Sequence, residues 1–568
     1  MSLQFITGNS GNGKTKYLFN RIVKEAKANP RDNYLVIVPE QFTMQTQRQL
    51  VDLSENKAIM NIDVLSFKRL AYRVFDELGI TNLTVLEETG KNLVLRKLAA
   101  QEADKLGVIG RNLNRIGYIS EVKSLLSELV QYNISPEELG RYIASGRLSD
   151  TLSDKLKDVL VLYEAFEKFM QDKYITAEEI LNELSNVAEE SAILRNSVIA
   201  FDEFTGFTPI QNQLIKKLFV ISKKIYVTLT IDCREDIFKS RGMQELFDMP
   251  KRTVKSLTEM AAFYGIEVEE PIILDKNYRL AENEELSFME QQLFRKRRCS
   301  FKKVPKHIHI DCLRDPKQEL TKIARRINEL VRNENLRYRD IAIVTGDVNI
   351  YAGYVREIFD KYNIPYFIDA TQEILFHPFI EFIRSIPDIA AQHFSADAVF
   401  RFLRCGFSEL LDSEIDVLEN YVLACGVRGK SAWDKKWVRL PKHKAGYDLE
   451  LLNQSREYIM ELLKPVYQVF SDKKSTVKDY VLAIYKLIVL LDIPDKLAKK
   501  EQALLDAGDQ TASKEYGQIY KIVMQLFEKY VAVLGDECMD AEEFTQILDA
   551  GLDAADVAVI PPGYDTVT

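Results

Sequence analysis

Several features that define common protein classes are scarce in this sequence of 568 residues. It contains six cysteines, five histidines and two tryptophans. The cysteines are scattered, without a CxxC pair, at Cys233, Cys299, Cys312, Cys405, Cys425 and Cys538. This scarcity argues against a zinc or iron–sulfur site within the chain and favours a reducing, cytoplasmic environment.

Long apolar runs and an excess of positive charge are also lacking. No stretch reaches membrane-spanning length, and the first residues do not have the pattern of a signal peptide. A net charge of −9 gives no overall attraction to nucleic acid. One local basic cluster either binds DNA or forms a solvated linker, and the sequence leaves both open: Arg295, Lys296, Arg297, Arg298, Lys302, Lys303 and Lys306.

What the sequence does contain is a glycine-rich stretch near its start, "TGNSGNGKT". Gly8, four further residues and then Gly13-Lys14-Thr15 have the spacing of a phosphate-binding loop, with a short apolar run before it and helical periodicity after it. Backbone N–H groups would surround the phosphates, Lys14 would neutralise them and Thr15 would ligate Mg²⁺. We predict an ATP and Mg²⁺ site made by Gly8, Asn9, Ser10, Gly11, Asn12, Gly13, Lys14 and Thr15.

A pair of acidic residues follows a second apolar run, in "VIAFDEF". Asp202 and Glu203 would lie at the carboxyl end of a buried strand, where a phosphate-loop fold needs a carboxylate. We expect Asp202 to hold Mg²⁺ and Glu203 to polarise an attacking water molecule.

Alternating strand and helix patterns predict an α/β protein with two RecA-like parallel-sheet cores, each interrupted by an all-helical insertion. Strands of the second core are expected at residues 307–313, 340–346 and 364–369. Thr176 to Glu179 has the pattern of a capping box at a helix start. The predicted domains are residues 1–84 and 191–294 (first core), 85–190 (its insertion), 295–375 (second core), 376–552 (its insertion) and 553–568 (return to the second core).

Several segments resemble a known family. Asp202-Glu203-Phe204 with Gln211 resembles the second motif of superfamily-one DNA helicases, and "LDKNYRLAEN" resembles their Asn-Tyr-Arg motif. Three segments are similar in sequence to the B subunits of AddAB-type (RexAB) helicase–nucleases: "VPEQFTMQTQRQL", "DEFTGFTPIQ" and "LRDPKQELTKIARRI". The similar phrases are spread over the whole chain.

The resemblance implies a bacterial ATP-dependent helicase/exonuclease subunit that pairs with an A subunit as a heterodimer. Such complexes process double-strand DNA ends for recombinational repair and are regulated at Chi sequences, so single- and double-stranded DNA are expected partners. The family's nuclease domain, with its iron–sulfur cluster, is expected to be missing from this chain, which has neither the cysteine cluster nor the nuclease motif.

The resemblance also assigns roles to individual residues. Arg279 matches the arginine that reaches the γ-phosphate, with a plain surface arginine as the alternative. Four residues lie where helicases touch single-stranded DNA, and Phe67 offers a stacking face. Packing in the core is the alternative for all four, which are Gln41, Thr43, Ser66 and Phe67.

Three departures from the helicase pattern predict a degraded motor. Seven residues precede Gly8, which leaves no room for an adenine-reading glutamine motif, and Thr205-Gly206 replaces the Gln-Asp of the second motif. "TIDCREDIF" supplies no glutamine where the third motif should sense the γ-phosphate. We expect an ATP-binding, DNA-engaging subunit. The alternatives are an active stand-alone translocase and a non-enzymatic DNA-binding scaffold with a structural ATP site.

Overall fold

The computed structural model describes residues 1–80, 85–108, 110, 118–146, 148–171, 174–295, 299–368, 372–374, 376–441, 447–553, 556–557 and 565–568. They form two compact units. The first contains Met1–Leu86, Leu125–Ala144 and Phe169–Asp311, and the second contains Glu87–Ser124, Ser145–Lys168 and Cys312–Thr568. The predicted insertion at residues 85–190 thus contributes to both units.

Up to residue 311, strands and helices alternate in two segments, and a mainly helical segment lies between them in the sequence. Residues 1–190 form β1 (Ser2–Gly8), α1 (Lys14–Ala28), β2 (Tyr34–Ile37), α2 (Thr43–Leu53), β3 (Ile62–Leu65), α3 (Phe67–Leu78), β4 (Val85–Leu86), α4 (Glu88–Gln101), α5 (Tyr118–Gln131), α6 (Pro136–Ala144), α7 (Asp150–Met170), β5 (Ile175–Thr176) and α8 (Ile180–Val187). Residues 191–311 form β6 (Val198–Phe201), α9 (Pro209–Ile221), β7 (Lys224–Thr230), α10 (Asp248–Phe263), β8 (Glu267–Val268), β9 (Ile272–Leu274) and α11 (Glu284–Gln292).

A parallel sheet forms the centre of the first unit. Its strands lie in the order β3-β2-β6-β7-β1-β8, and β9 also pairs with β1. The register aligns Gly8 at the end of β1 with Thr230 at the end of β7, and Phe201 of β6 with Val227 of β7. The carboxyl ends of β6, β7 and β1 therefore lie side by side, and the loops that follow them share one edge of the sheet.

Helices cover both faces of this sheet, which explains why β2 and β6 near its centre are apolar and buried at every position. On one face, Leu35, Ile199 and Val227 pack with residues of α3, α8, α9 and α10. On the other face, Val36 and Ala200 pack with residues of α1 and α2. This three-layer arrangement confirms the predicted α/β class.

The second unit is mainly helical. Residues 312–568 form α12 (Pro316–Asn333), α13 (Val348–Tyr362), β10 (Gln372–Glu373), α14 (Pro378–Ala391), α15 (Ala396–Arg404), α16 (Asp412–Cys425), α17 (Lys430–Asp434), α18 (Leu449–Ser471), α19 (Val477–Leu490), α20 (Ile493–Asp506), α21 (Gln510–Leu534), α22 (Ala541–Asp553) and β11 (Asp556–Val557). A continuous apolar core joins α4 to the helices from α14 onward, and α12 and α13 share a smaller core. No helix in the described ranges is long and apolar enough to cross a membrane.

The three strands predicted at residues 307–313, 340–346 and 364–369 are not strands where the structure describes them, apart from an isolated bridge at Tyr366; residue 369 lies outside the described residues. The last two segments do find one extended neighbour. Ile343 N donates to Thr568 O at 2.8 Å, and Phe367 N donates to Val567 O at 2.8 Å. Within the described residues these contacts do not form a ladder of strand hydrogen bonds. A second RecA-like sheet therefore stays a prediction.

Candidate nucleotide site

The glycine-rich loop connects β1 to α1 at the edge of the sheet. Gly11 and Gly13 have φ values of +86° and +78°, in the left-handed region that favours glycine. A Cβ atom at Gly8 would lie 2.5 Å from Leu274 O, and one at Gly11 would lie 2.9 Å from the Asn277 Oδ1 atom. Both the turn and the close packing of its neighbours therefore require glycine.

The Lys14 ammonium group lies across this loop. Its Nζ atom donates to Gly8 O at 3.1 Å and to Asn9 O at 3.0 Å. Burial lowers the pKa of Lys14, while the negative charges of Glu203 and Asp202 oppose that shift. The lysine thus sits at the amino end of α1, with the backbone of the loop around it and two carboxylates nearby.

Asp202 lies at the end of β6 with 1% of its surface exposed. Its Oδ1 atom accepts a hydrogen bond from the Thr228 hydroxyl, which β7 supplies, and lies 3.4 Å from Thr15 Oγ1. Its Oδ2 atom is buried and has no hydrogen-bond partner among the described residues. Burial raises the pKa of Asp202, and the negative charge of Glu203 adds to this shift, while the hydrogen bonds from Thr228 and Thr15 oppose it.

Glu203 is the second predicted carboxylate. It has a φ of 64°, unusual for a residue with a side chain. Its Oε1 atom lies 3.3 Å from Thr15 Oγ1, so the Thr15 hydroxyl is next to both carboxylates. A strained backbone that aims a carboxylate into a cleft is typical of functional sites.

The Asn-Tyr-Arg segment contacts the loop directly. Tyr278 N and Arg279 N donate to Gly11 O at 3.0 and 3.3 Å, and Asn277 Nδ2 donates to Ser10 O at 3.1 Å. Arg279, predicted from its motif, is therefore beside the loop although it is distant in sequence.

Three contributions were not found from the sequence. The Thr228 hydroxyl is hydrogen-bonded to Asp202, and Asn277 anchors the loop. Tyr278 is 65% exposed, and its ring lies 3.5 Å from the position of a Cβ atom at Gly13. The neighbours of Arg279 in "NYR" were the available signal for Asn277 and Tyr278, whereas nothing near Thr228 in the sequence marks it.

These elements enclose an open cavity of about 720 Å³. Ligand pockets in proteins commonly measure about 300–1,000 Å³, so a nucleotide fits by volume. Beyond the loop, the acidic pair and the Tyr278–Arg279 segment, one wall consists of residues from α1, α2 and the turn before α2. These wall residues are Lys16, Phe19, Phe42, Gln45, Thr46, Gln49, Asp52 and Leu53.

The segment after β7 lies where the third helicase motif would carry a glutamine, and the sequence has none there. In the structure this segment contains a cluster of ion-paired residues. Asp232 is 1% exposed and accepts hydrogen bonds from Arg234, at 2.8 and 2.6 Å, and from Arg295 Nε at 2.9 Å. Burial opposes the ionisation of Asp232, but these hydrogen bonds outweigh it and hold its pKa well below the usual range. Arg295 therefore belongs to this cluster, and residues 296–298 of the predicted basic cluster lie outside the described residues.

Two of the four predicted DNA-contacting residues lie at the same edge of the sheet. Ser66 directly follows β3, caps α3 by accepting a hydrogen bond from Arg69 N at 3.3 Å, and donates a hydrogen bond to the Glu40 carboxylate. Glu40 also pairs with Arg69 Nε at 2.9 Å, and both side chains are 57% exposed. Gln41 is exposed beside them.

The other two are buried. Thr43 is 5% exposed, and its hydroxyl donates to Glu40 O at 2.9 Å. Phe67 is 7% exposed, and its ring centroid lies 5.8 Å from that of Phe201 and 5.6 Å from that of Phe204. The structure thus places Phe67 in the aromatic core, with no ring face open for a base to stack on. Base stacking by Phe67 stays a prediction.

A parallel sheet covered on both faces, a glycine loop before α1 and a carboxylate pair at a nearby strand end are features typical of phosphate-loop nucleotide-binding folds. Residues 5–290 match the family described as "ADDB, N-terminal". The chain belongs to this family, the AddB proteins.

Curated relatives match the whole chain. Proteins named as the B subunit of an ATP-dependent helicase/deoxyribonuclease are 38% identical over 577 residues in Lachnoclostridium phytofermentans, 32% over 579 in Caldanaerobacter subterraneus and 31% over 581 in Clostridioides difficile. Each alignment includes 100% of this chain and 49–50% of the relative. The chain therefore spans about half the length of these relatives.

Proposed function

We propose that this chain is the ATP-binding, DNA-engaging part of a two-subunit helicase–nuclease that processes double-strand DNA ends for recombinational repair, and that its own helicase motor is degraded. The names of its relatives support an ATP-dependent helicase/deoxyribonuclease assembled from subunits. One observation carries the nucleotide part. The unpartnered, buried Oδ2 atom of Asp202 lies on a carboxylate that also faces the Thr15 hydroxyl.

The residues present fit a magnesium–nucleotide complex. Mg²⁺ in such sites takes one or two carboxylates together with substrate phosphates, and Asp202 with Thr15 supplies the protein share. Bound Mg²⁺ supplies positive charge that neutralises phosphate oxygens. Lys14 and the N–H groups of the loop hold the phosphates, and Glu203 orients and polarises a water molecule.

Asp202→Asn is expected to remove the magnesium dependence of ATP binding, because the amide keeps the shape of the carboxylate without its charge. ATP affinity in Mg²⁺ should fall at least about ten-fold, toward the value measured in EDTA. Calorimetric titration with and without Mg²⁺ measures both values. Asp52→Asn changes another carboxylate of the same cavity and should keep the magnesium dependence. Continued tightening by Mg²⁺ in Asp202→Asn would refute the assignment.

The DNA-engaging surface is proposed at Gln41, Ser66 and Arg69. These residues follow β2 and β3 at the same edge of the sheet that carries the nucleotide cavity. The Arg69–Glu40 pair is open to solvent, so the guanidinium group is free to exchange its carboxylate partner for a phosphate. Gln41 supplies an amide that can hydrogen-bond to a base or a sugar.

Arg69→Ala should weaken binding of single-stranded DNA and lower the slope of its salt dependence by about one, since one phosphate contact is lost. Gln41→Ala should weaken binding without changing that slope. Fluorescence anisotropy with a labelled oligonucleotide over a salt series gives both quantities. Arg73→Ala, one turn further along α3 and 56% exposed, is the matched control. If the salt dependence of DNA binding has the same slope for the Arg69 variant and the unmodified chain, Arg69 is not part of the DNA-engaging surface.

The partner and the two alternatives are separable by experiment. The A subunit is proposed as the partner in a heterodimer, and a mass measurement with purified A subunit tests it. Nuclease activity and the iron–sulfur cluster are proposed for the half of the relatives that this chain does not match. An active translocase and a structural ATP site differ in their steady-state ATPase with and without single-stranded DNA. Cytoplasmic location stays a prediction.

A further inference from the structure

The phosphate loop has a side-chain anchor on α11. Asn9, the second residue of the loop, is 4% exposed. Its Nδ2 atom donates to Glu290 Oε1 at 2.9 Å, and its Oδ1 atom accepts from Cys233 N at 2.9 Å. The Asn9 side chain therefore spans from α11 to the segment that follows β7.

This anchor acts on an atom of the nucleotide site. The Asn9 carbonyl is one of the two that accept hydrogen bonds from Lys14 Nζ. When a triphosphate binds, Lys14 must turn from these carbonyls to the phosphates. The Asn9 side chain then keeps the peptide in place, so that the loop N–H groups stay directed at the phosphates.

Glu290 also brings a negative charge close to an anion-binding loop. Its side chain is 16% exposed, so solvent screens it poorly, and its charge acts on Lys14. Arg295 compensates this charge: its Nη2 atom lies 3.9 Å from Glu290 Oε1, and its side chain is 12% exposed. Arg295 is itself held by the buried Asp232, at 2.9 Å.

We propose that Glu290 and Arg295 are positioning residues of the nucleotide site. Glu290 fixes the phosphate loop through Asn9, and Arg295 neutralises Glu290 so that its carboxylate does not repel the triphosphate. This inference rests on the proposed function, because it needs nucleotide binding at the loop. It also couples nucleotide binding to the position of α11. Binding of the nucleotide favours the position of α11 in which Glu290 holds Asn9, and this position of α11 in turn favours nucleotide binding.

Four variants of the full chain test the proposal by titration with MgATP and MgADP. Glu290→Ala removes the acceptor for Asn9 and should weaken MgATP binding about five-fold. Glu290→Gln keeps an acceptor oxygen and removes the charge, so it should rescue that loss. Arg295→Gln leaves Glu290 uncompensated and should weaken MgATP about five-fold, and MgADP less, because MgADP carries one negative charge fewer. The double variant Arg295→Gln/Glu290→Gln should recover the loss.

Glu282→Ala, which removes an exposed carboxylate just before α11, controls for general charge effects, and circular dichroism controls for folding. Binding by Glu290→Ala equal to that of the unmodified chain would overturn this inference alone. Equal losses in all four variants would show a structural role only and would also overturn it. No nucleotide binding by the unmodified chain would overturn the proposed function and this inference with it.

Discussion

Lys14→Ala is expected to reduce ATP binding by at least about one hundred-fold while the chain stays folded. The ammonium group is held over the loop by two hydrogen bonds, and each charge-assisted hydrogen bond to phosphate contributes about 1.5–3 kcal/mol. Losing two of them corresponds to about 3 kcal/mol or more, which is at least two orders of magnitude in affinity.

The fold should tolerate this change because the two loop carbonyls keep other partners. Gly8 O also accepts from Ile231 N at 3.2 Å, and Asn9 O also accepts from Asn12 N at 3.2 Å. Neither of these carbonyls is left unpaired when the ammonium group is removed. The thermal unfolding temperature of the variant should therefore stay close to that of the unmodified chain.

A fluorescent ATP analogue measures the effect of Lys14→Ala, and thermal melting followed by circular dichroism confirms folding. Lys16→Ala is the matched control: Lys16 lines the same cavity two residues later, but it is exposed and makes no part of the loop. It should lose little affinity. Undiminished binding by the Lys14 variant would place the nucleotide elsewhere.

Features that depend on neighbours in the sequence could be predicted. The spacing of Gly8, Gly13 and Lys14 predicted the turn between β1 and α1. The reciprocal hydrogen bonds expected between Thr176 and Glu179 are present, with Thr176 N donating to Glu179 at 2.6 Å and Glu179 N to Thr176 at 3.2 Å, but they lie in the turn just before α8, which itself begins at Ile180 with Glu179 as its N-cap. Such signals involve residues a few positions apart, so the sequence alone contains both partners.

Features that depend on distant partners could not be predicted. The Asn9–Glu290 hydrogen bond joins residues 281 positions apart, and no local pattern marks Glu290 as the partner. Phe67 has the same difficulty, since only the fold shows that Phe201 and Phe204 enclose its ring. The strands expected near residues 340 and 364 were wrong for a related reason. A strand pattern gives an apolar segment but does not supply the neighbour that it must pair with.

The second expected result is slow ATP hydrolysis without duplex unwinding. In the proposed site, Lys14, Thr15, Asp202 and Glu203 would provide charge neutralisation, a place for Mg²⁺ and a water-polarising carboxylate, the contributions that dominate phosphoryl transfer. Hydrolysis is therefore chemically available. Translocation also requires that the γ-phosphate change the conformation of the protein, and for this the nucleotide must make different contacts in two states.

The end of β7 offers few such contacts. In the superfamily-one helicases that this sequence resembles, a glutamine at this position would sense the γ-phosphate. In this chain Asp232 and Arg234 instead bind each other, Arg295 and the Gln291 carbonyl, the last at 2.8 Å. Neither Asp232 nor Arg234 is among the described residues that line the cavity. Because this segment is held by its own ion pairs and does not contact the cavity, we expect its conformation to change little when the γ-phosphate is lost.

A strand-displacement assay and a steady-state ATPase assay measure the two activities on the same preparation. We expect no displaced strand, and less than about ten-fold stimulation of hydrolysis by single-stranded DNA, which corresponds to less than about 1.4 kcal/mol of the activation barrier. Glu203→Gln should abolish the residual hydrolysis while keeping ATP binding, since it removes the water-polarising charge but not the loop. ATP-dependent strand displacement by the unmodified chain, lost in Glu203→Gln, would show that the ion-paired cluster after β7 does not uncouple the site and that this pocket drives a motor.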